Sequence, residues 1–334
     1  MKIIRTLLTA VLVLSLVLAF GACGENKLVT IKLSEVTHSI FYAPQYAALN
    51  LGFFEEEGLS VDLINGQGAD KVMTAVLSGQ ADIGFSGPEA AIYVYNEGKE
   101  DHAVVFAQLT KRDGSFLVGR EPEPDFKWTD VKGKFIIGGR KGGVPAMTLE
   151  YVLRKNGIVP DKDVEMDSSI QFALMAGAFT GGMGDYVALF EPVASTLERE
   201  GKGYIVASIG QDSGEIPYTA YYAKKSYMEK NPDIIQKFTN AIYRGQVWVE
   251  SHTPEEVAEA IKDSFPDSDM ELLTTVAKRY KDQDAWSTDP VMKEESLALL
   301  QEVMKQAGEL QKEAPHEALV NNSYAQKAIE SITK

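Results

Sequence analysis

The chain has 334 residues, of which 45% are apolar, and it carries a formal net charge of −15 at pH 7. Its single cysteine excludes an intramolecular disulfide or a cysteine-cluster metal site, and its four histidines show no metal-ligand spacing. The negative charge disfavours nucleic acid as a partner and suits a soluble monomer. The apolar fraction is sufficient for a substantial core in one large or two medium domains.

The first segment has the pattern of an export signal. Lys2 and Arg5 precede an apolar run at 7–20, which ends just before Gly21, Ala22 and Cys23. A helix over that run would be about 21 Å long, short of a hydrocarbon core of about 30 Å, so a cleaved signal is favoured over a permanent span. The segment resembles a bacterial lipoprotein signal. This implies a signal peptide at 1–22, a lipid (palmitate-type) anchor on Cys23 and a tether at 23–27; an ordinary secretory signal is the alternative.

Short apolar strands alternate with helices through the next part of the chain. A strand is predicted at Leu28–Val36, and Pro44 is well placed to open a helix that ends at Gly52. Helix–strand pairs follow at 53–64 and 69–85, and the strands AVVFAQL and SFLVGR complete this series.

A proline-rich, charged connection at 121–133 precedes a second series, and from Asn231 the chain is almost wholly helical. The alternation predicts an α/β fold with a largely parallel sheet. Val76–Ile92 and Leu174–Ser195 also share an order: a helix ending at glycine, a strand, and a proline that opens the next helix. Because ligands bind outside the carboxyl ends of strands in open α/β sheets, two such edges predict a cleft between two lobes.

Four segments carry a resemblance to a known family: LNLGFFEEEGL, LSGQADIGF, WTDVKGKFIIGGRKGG and GDYVALFEPVA. They resemble solute-binding proteins of ABC importers, in the branch that includes alkanesulfonate, taurine, nitrate and thiamine-pyrimidine-precursor receptors. The resemblance implies a two-lobed periplasmic-binding-protein (type II) fold with a crossover hinge and a helical C-terminal part. It assigns 28–116 plus 221–334 to lobe 1 and 117–220 to lobe 2. It also implies a small-molecule ligand, and an ABC permease with its ATPase as partners.

The predicted first lobe offers ligand-binding groups at two strand ends. Side chains that can exchange hydrogen bonds or flank a planar ligand follow the first strand, at Thr37, His38, Ser39 and Tyr42. A second group lies at the start of the helix opened by Pro88, where unpaired N–H groups bind anions or carbonyls: Ser86, Gly87 and Glu89. The alternatives are that His38 caps a turn, that Ser86 caps its helix and that Glu89 satisfies the helix dipole.

The predicted second lobe contains a glycine-rich loop, GGRKGGVPAMT, that opens a helix at Pro145. Its backbone N–H groups can converge on an anionic or polar ligand, with Arg140, Gly142 and Gly143 as the candidates; the alternative is a tight turn. The spacing is not that of a Walker loop. Further candidates are Phe190 and Glu191 at a strand end and Tyr218 near the returning crossover, although Glu191 can instead cap its own helix. The charged residues at 111–113 are expected to form a solvated turn.

These candidates leave two ligand classes open. Glu191 with its aromatic neighbours indicates a planar, amine-bearing heterocycle such as a thiamine pyrimidine precursor, whereas Arg140 and the glycine-rich loop indicate a sulfonate or phosphate. Since the sequence has no nucleophile–base motif, we expect a receptor without a cofactor or a metal, and not an enzyme. The alternatives are an enzyme on the same scaffold, related to thiamine pyrimidine synthesis, and a ligand-sensing surface lipoprotein. The receptor is expected at the outer face of the cytoplasmic membrane or in the periplasm.

Overall fold

The computed structural model describes residues 27–332. The predicted signal peptide and the acylation site at Cys23 lie outside these residues. Within them, ten strands form two five-stranded sheets. In chain order the strands are β1 (Val29–Glu35), β2 (Leu59–Asn65), β3 (Ile83–Ser86), β4 (Ala103–Thr110), β5 (Ser115–Gly119), β6 (Phe135–Ile137), β7 (Glu165–Asp167), β8 (Tyr186–Phe190), β9 (Tyr204–Ser208) and β10 (Thr219–Lys224).

The two sheets share one strand plan. The first has the order β2-β1-β3-β10-β4 and the second β7-β6-β8-β5-β9, so β1 to β4 correspond to β6 to β9. In each sheet these four strands run in the same direction, and one strand, β10 or β5, is antiparallel to its neighbours. The α/β class is therefore confirmed. The sheets are mixed and not parallel throughout, because β10 and β5 each begin where the chain arrives from the other sheet.

Helices cover the faces of both sheets and form most of the C-terminal third. In chain order they are α1 (Ala43–Asn50), α2 (Phe53–Glu56), α3 (Ala69–Ser78), α4 (Glu89–Asn96), α5 (Val144–Lys155), α6 (Met175–Thr180), α7 (Val193–Arg199), α8 (Ile209–Ser213), α9 (Lys225–Lys230), α10 (Pro232–Ser251), α11 (Pro254–Ile261), α12 (Met270–Asp282), α13 (Glu294–Gln306), α14 (His316–Leu319) and α15 (Ser323–Ile332). Short 3₁₀ helices lie at Ile40–Tyr42, Trp128–Val131, Phe172–Leu174 and Lys262–Ser264.

The helix starts follow the local sequence. Pro44 occupies the first turn of α1, where its missing N–H costs nothing. At the start of α11 the N–H of Thr253 donates to Glu256 Oε2 (2.8 Å), and the N–H of Glu256 donates to Thr253 Oγ1 (3.3 Å). Such a reciprocal cap contributes about 1 kcal/mol. These boundaries are readable from the sequence because both partners are close together in it.

The main apolar core is shared by the two sheets. In the first sheet, Tyr221 of β10 stacks on Phe85 of β3 with ring centroids 4.3 Å apart, and Phe238 of α10 packs against Tyr221 at 5.1 Å. The same cluster of buried residues continues into the second sheet, where it includes Phe190. A smaller cluster, which includes Ile136, belongs to the second sheet alone.

The chain crosses between the sheets twice, and the two crossings lie side by side. The N–H of Tyr218 donates to the carbonyl of Thr110 (3.1 Å), and that of Ile216 donates to the carbonyl of Lys111 (2.9 Å). The Thr110 and Thr219 hydroxyls are also hydrogen-bonded, at 2.5 Å. This pair of crossings is the crossover that the family resemblance implies.

Helix α12 braces the crossings against the second sheet. The Tyr280 hydroxyl donates to the carbonyl of Gly114 (3.1 Å) and accepts the N–H of Glu191 (3.2 Å). Arg279 Nη1 donates to Glu191 Oε1 (3.0 Å), and its Nη2 pairs with Glu198 of α7. The helix belongs to a segment predicted for lobe 1, yet it also binds the second sheet. The exact lobe boundaries stay a prediction.

Loss of the Arg279 guanidinium is expected to destabilise the protein. Arg279→Ala leaves the carboxylate of Glu191, which is 1% exposed, without its cation. Because the arginine side chain is itself 27% exposed, we expect a loss of about 2 to 3 kcal/mol in the free energy of unfolding, below the full cost of breaking a buried pair. Urea denaturation followed by circular dichroism measures this loss.

The neighbouring Lys278→Ala is the matched control, since Lys278 forms an exposed pair with Asp282 on the same helix. It is expected to change the free energy of unfolding by less than about 0.5 kcal/mol. Equal effects of the two substitutions would contradict the bracing role of Arg279.

Candidate functional site

The carboxyl ends of strands from both sheets meet at one place, formed by residues 39–42, 86–93, 140–144 and 190–191, which we call the lobe junction. The Tyr93 hydroxyl donates to the carbonyl of Gly142 (3.1 Å), and Ser39 Oγ donates to the carbonyl of Glu191 (3.0 Å). Both hydrogen bonds join a residue that follows a first-sheet strand to a residue that follows a second-sheet strand. Several of the predicted site residues therefore lie together.

The turn between β3 and α4 is shaped by a side chain that folds back on the backbone. Ser86 Oγ is hydrogen-bonded to the Tyr222 hydroxyl at 2.7 Å. A Cβ atom added at Gly87 would lie 2.0 Å from Glu89 Oε2, so a larger residue at this position would displace the Glu89 carboxylate. Gly87 therefore leaves room for that carboxylate at the start of its own helix.

Glu89 is buried at the lobe junction, with 3% of its surface exposed. Burial raises the pKa of its carboxyl to about 7, although N–H groups of α4, the Arg140 charge and the N–H of Val144 in the second lobe oppose the shift. Its Oε2 atom accepts no hydrogen bond from any described residue. A buried carboxylate oxygen in this state is poised to accept a hydrogen bond from a ligand.

The glycine-rich loop faces the first lobe. Gly142 has a φ of +74°, which glycine adopts without strain, and Gly143 precedes the first residue of α5. The Arg140 side chain is 56% exposed, with its Nη2 atom 4.0 Å from Asp70 Oδ1, and Lys141 lies 3.9 Å from Glu309. Both cations of the loop therefore lie beside acids of other segments.

Aromatic rings from both lobes line the junction. Phe41, Phe190 and Tyr218 form a triangle with centroid separations of 5.9, 5.8 and 6.0 Å. Tyr42, which is buried, packs edge-on against Phe85 at 4.6 Å. The rings of the triangle are buried against one another, and Phe190 is the most exposed of the three at 9%.

Glu191 has protein partners for its carboxylate. Oε2 accepts the N–H of Ser195 (2.8 Å), and Oε1 accepts Ser195 Oγ (2.6 Å) and Arg279 Nη1 (3.0 Å). The contact with Ser195 in α7 agrees with the predicted alternative, in which Glu191 caps its own helix. Its contact with a ligand stays a prediction.

His38 lies away from the lobe junction, on the side of the C-terminal helices. Nδ1 is hydrogen-bonded to Glu35 Oε1 (2.9 Å) and Nε2 to the carbonyl of Ser264 (2.7 Å), and the ring packs on Phe265 at 4.6 Å. The hydrogen bond to Glu35 raises the pKa of His38. Thr37 is half-buried next to it. Ligand contact by either residue stays a prediction.

Asp113 was expected in a solvated turn, and that expectation is wrong: its exposed fraction is 0%. Oδ1 accepts both the N–H (2.6 Å) and the hydroxyl (2.5 Å) of Ser115. Burial raises the pKa of Asp113 to about 7, with the Ser115 hydrogen bonds opposing the shift. The Asp-x-Ser spacing in the sequence is typical of a turn in which the aspartate accepts hydrogen bonds from the serine. Nothing in the local sequence indicates that Asp113 is buried.

The Tyr218 hydroxyl lies beside the Asp113 carboxylate. The hydroxyl acts as a hydrogen-bond donor to the carboxylate, which opposes the rise in the pKa of Asp113. Tyr218 is 3% exposed, so this pair is buried. A buried polar pair thus lies on the crossing between the sheets.

Three further features of residues 27–332 bear on where a ligand can bind. A groove of about 330 Å³ is lined by residues of β5, β9 and α12, which include Phe116 and Arg279. In the part of the chain that the structure describes, no three or more His, Cys, Asp or Glu side chains are grouped so as to hold a metal ion. None of the helices between residues 27 and 332 is both long and apolar enough to cross a membrane.

Comparison with known proteins agrees with the fold. The Bacillus subtilis (strain 168) protein named "Putative binding protein YtlA" is 49% identical over 313 residues, which cover 93% of this chain and 94% of that one. The ligand-binding component of an ABC-type import system from Staphylococcus aureus superposes with a TM-score of 0.72 at 15% identity, covering 90% of this chain and 99% of the other. The aliphatic sulphonate binding protein SsuA from Escherichia coli gives a TM-score of 0.68 at 18% identity, with 87% and 97% covered.

These likenesses confirm the expected two-lobed periplasmic-binding-protein (type II) fold. The model of the family described as "NMT1/THI5 like" matches residues 40–256, well over half of the sequence. With that match and a relative of nearly half identical sequence, the chain belongs to the NMT1/THI5-like family.

Proposed function

We propose that this protein is the solute-binding component of an ABC importer and holds a small organic solute between its two lobes. The observation that carries the proposal is the lobe junction itself, where Tyr93 meets Gly142 and Ser39 meets Glu191. Helix starts and strand ends of both sheets converge there, as in other α/β proteins that bind ligands at strand ends. The name of the Bacillus subtilis relative and the import-system neighbour support a binding role.

A binding role fits the hydroxyl groups of the junction better than catalysis does. Ser39 Oγ donates to a backbone carbonyl, and Ser86 Oγ is paired with the Tyr222 hydroxyl. A catalytic serine is instead paired with a general base such as histidine, and His38 is engaged by Glu35 and Ser264. An enzyme on this scaffold, related to thiamine pyrimidine synthesis, is therefore the weaker hypothesis, and a ligand-sensing lipoprotein is the other alternative.

Two solute classes fit this proposal: a heterocycle like the pyrimidine precursors of thiamine, and an organosulfonate. The triangle of Phe41, Phe190 and Tyr218 supports a planar solute. The sulfonate class is supported by Arg140 on the glycine-rich loop and by the likeness to a sulphonate binding protein, which is a likeness of fold.

The proposal includes a membrane anchor and two protein partners. Acylation of Cys23 holds a monomeric receptor at the outer face of the cytoplasmic membrane, where it delivers solute to a permease driven by an ATPase. Multiple acyl chains support stable attachment, because each buried CH₂ contributes about 0.8 kcal/mol.

Solute binding is expected to stabilise the chain without consuming the solute. Titration of the protein from residue 24 onward with hydroxymethylpyrimidine, the aminopyrimidine precursor of thiamine, and with ethanesulfonate is followed by thermal denaturation. A solute at a hundredfold excess over its Kd adds about 2.7 kcal/mol to the free energy of unfolding. Chromatography of the solute after incubation checks that it is unchanged.

Phe190→Ala is expected to weaken this stabilisation, whereas Val159→Ala, at an exposed apolar residue outside the lobe junction, leaves it intact. Conversion of the solute to product would contradict a receptor role. So would a result in which neither the pyrimidine nor the sulfonate stabilises the protein.

Anchoring is expected to depend on one thiol. Cys23→Ser removes the sulfur that carries the acyl group, so the protein moves from the membrane fraction to the soluble fraction and loses label from a fatty-acid analogue. Lys27→Ala, at the last residue of the tether, is the control and keeps both properties. Membrane retention and labelling of Cys23→Ser at the unchanged level would rule out this anchor.

A further inference from the structure

We propose that Glu89 is an internal anion for the glycine-rich loop: its carboxylate occupies the start of α5 and excludes sulfonate and phosphate groups of a solute from that position. Glu89 is then a specificity-determining residue of the lobe junction. The inference deepens the proposed function and rests on it in one respect, that a solute reaches the lobe junction.

The start of α5 has the features of an anion-binding position. The first N–H groups of a helix have no partner within the helix, and Gly143, which precedes α5, has no side chain to cap them. Arg140 adds a positive charge in the same loop. Backbone N–H groups, the helix dipole and a cation together favour a carboxylate, a sulfonate or a phosphate.

A carboxylate of the protein itself lies at this position. Glu89 opens α4, which follows a first-sheet strand, and Val144 opens α5, which follows a second-sheet strand. Burial raises the pKa of Glu89, and the Arg140 charge and a hydrogen bond from the N–H of Val144 oppose that rise. Glu89 is 3% exposed and Val144 is 1% exposed. The Glu89 carboxylate therefore caps α5 from across the lobe junction, in a position closed to solvent.

The cations of the loop also have acids beside them. Arg140 Nη2 lies 4.0 Å from Asp70 Oδ1, and Lys141 Nζ lies 3.9 Å from Glu309 Oε1. Both cations and the helix start are thus each matched by a carboxylate of the protein. A solute anion at the loop would meet these negative charges, of which the buried one, on Glu89, is the least screened by salt.

The space at the loop is occupied as well. The Tyr93 hydroxyl donates to the carbonyl of Gly142 (3.1 Å) and lies 3.9 Å from Met147 Sδ. A Cβ atom added at Gly142 would lie 3.3 Å from Glu309 Oε2, so this side of the loop is closely packed. Glu89 Oε2 has no hydrogen-bond partner within residues 27–332. Because a carboxylate oxygen accepts hydrogen bonds and repels an anion, it reinforces the exclusion.

The exclusion is expected to weaken when Glu89 takes up a proton. Burial raises the pKa of its carboxyl to about 7, so the carboxyl is mostly ionised above pH 7 and mostly neutral below it. The Arg140 cation faces it from the loop. It also acts on four tyrosines whose pKa values burial raises, so that they stay neutral near pH 7: Tyr42, Tyr93, Tyr218 and Tyr222.

The test is isothermal titration calorimetry with ethanesulfonate on the protein from residue 24 onward at pH 8. Glu89→Ala removes the internal anion, and we expect it to bind ethanesulfonate at least about tenfold more tightly than the unsubstituted protein does. Adding Arg140→Ala to this variant is expected to abolish the gain, which places the bound anion at the loop. Asp70→Asn, at an exposed acid beside the same loop, is the matched control and is expected to change the Kd by less than about threefold.

A second measurement uses pH and does not depend on the folding of Glu89→Ala. Between pH 8 and pH 6 the neutral fraction of a carboxyl with this pKa rises from about one tenth to about nine tenths. The unsubstituted protein is therefore expected to bind ethanesulfonate about tenfold more tightly at pH 6. Glu89→Gln is expected to lose this pH dependence, which separates Glu89 from Asp113, whose pKa is also about 7. Circular dichroism checks that every variant is folded.

Equal affinity of the unsubstituted protein, Glu89→Ala and Glu89→Gln for ethanesulfonate at pH 8 would overturn this inference. A gain in Glu89→Ala that survives the loss of Arg140 would also overturn it, because the anion would then bind elsewhere. If the unsubstituted protein binds ethanesulfonate through Arg140 and neither Glu89 variant binds it more tightly, the inference fails and the proposed function stands. The proposed function fails separately if neither solute class stabilises the unsubstituted protein, and a gain in Glu89→Ala would still support the role of Glu89.

Discussion

One buried hydroxyl holds together the parts of this protein on which the lobe junction depends. Tyr280 donates to the carbonyl of Gly114 in the first crossing and accepts the N–H of Glu191 at the end of β8. Gln283, one turn later in the chain, donates to the carbonyl of Asp113. A single helix thus fixes the crossing, the end of a second-sheet strand and the backbone of a buried acid. The opposite side of the junction, with Glu89, is fixed by the first sheet.

The buried carboxylates of this protein differ in how far hydrogen bonds and cations of the protein compensate their charge. Glu191 receives an arginine and a helix N–H, so its burial is compensated within the fold. Glu89 and Asp113 receive only partial compensation, and burial raises the pKa of each to about 7. Uncompensated carboxyl groups are costly to bury.

Much of the fold was predictable, because its signals are local. Pro44, the Thr253–Glu256 cap and the alternation of strands and helices each need only a short window of sequence. The expectation that a ligand site lies at the carboxyl ends of strands also placed Ser39, Glu89 and the glycine-rich loop in one region. The remainder depends on residues far apart in the chain.

The partners of Glu191 and the burial of Asp113 could not be read from the sequence. Arg279 lies 88 positions from Glu191, and Asp113 is covered by a crossing and by α12, which only the tertiary structure brings near. His38, predicted near the ligand, is hydrogen-bonded to the carbonyl of Ser264 from the C-terminal third, and its contact with a ligand stays a prediction.

A crystal structure of the protein with hydroxymethylpyrimidine or ethanesulfonate is the most direct test of binding between the lobes. The solute is expected between the two lobes, in contact with residues of the lobe junction. A solute bound in the groove beside Gln283, without contact to the lobe junction, would contradict the proposed site.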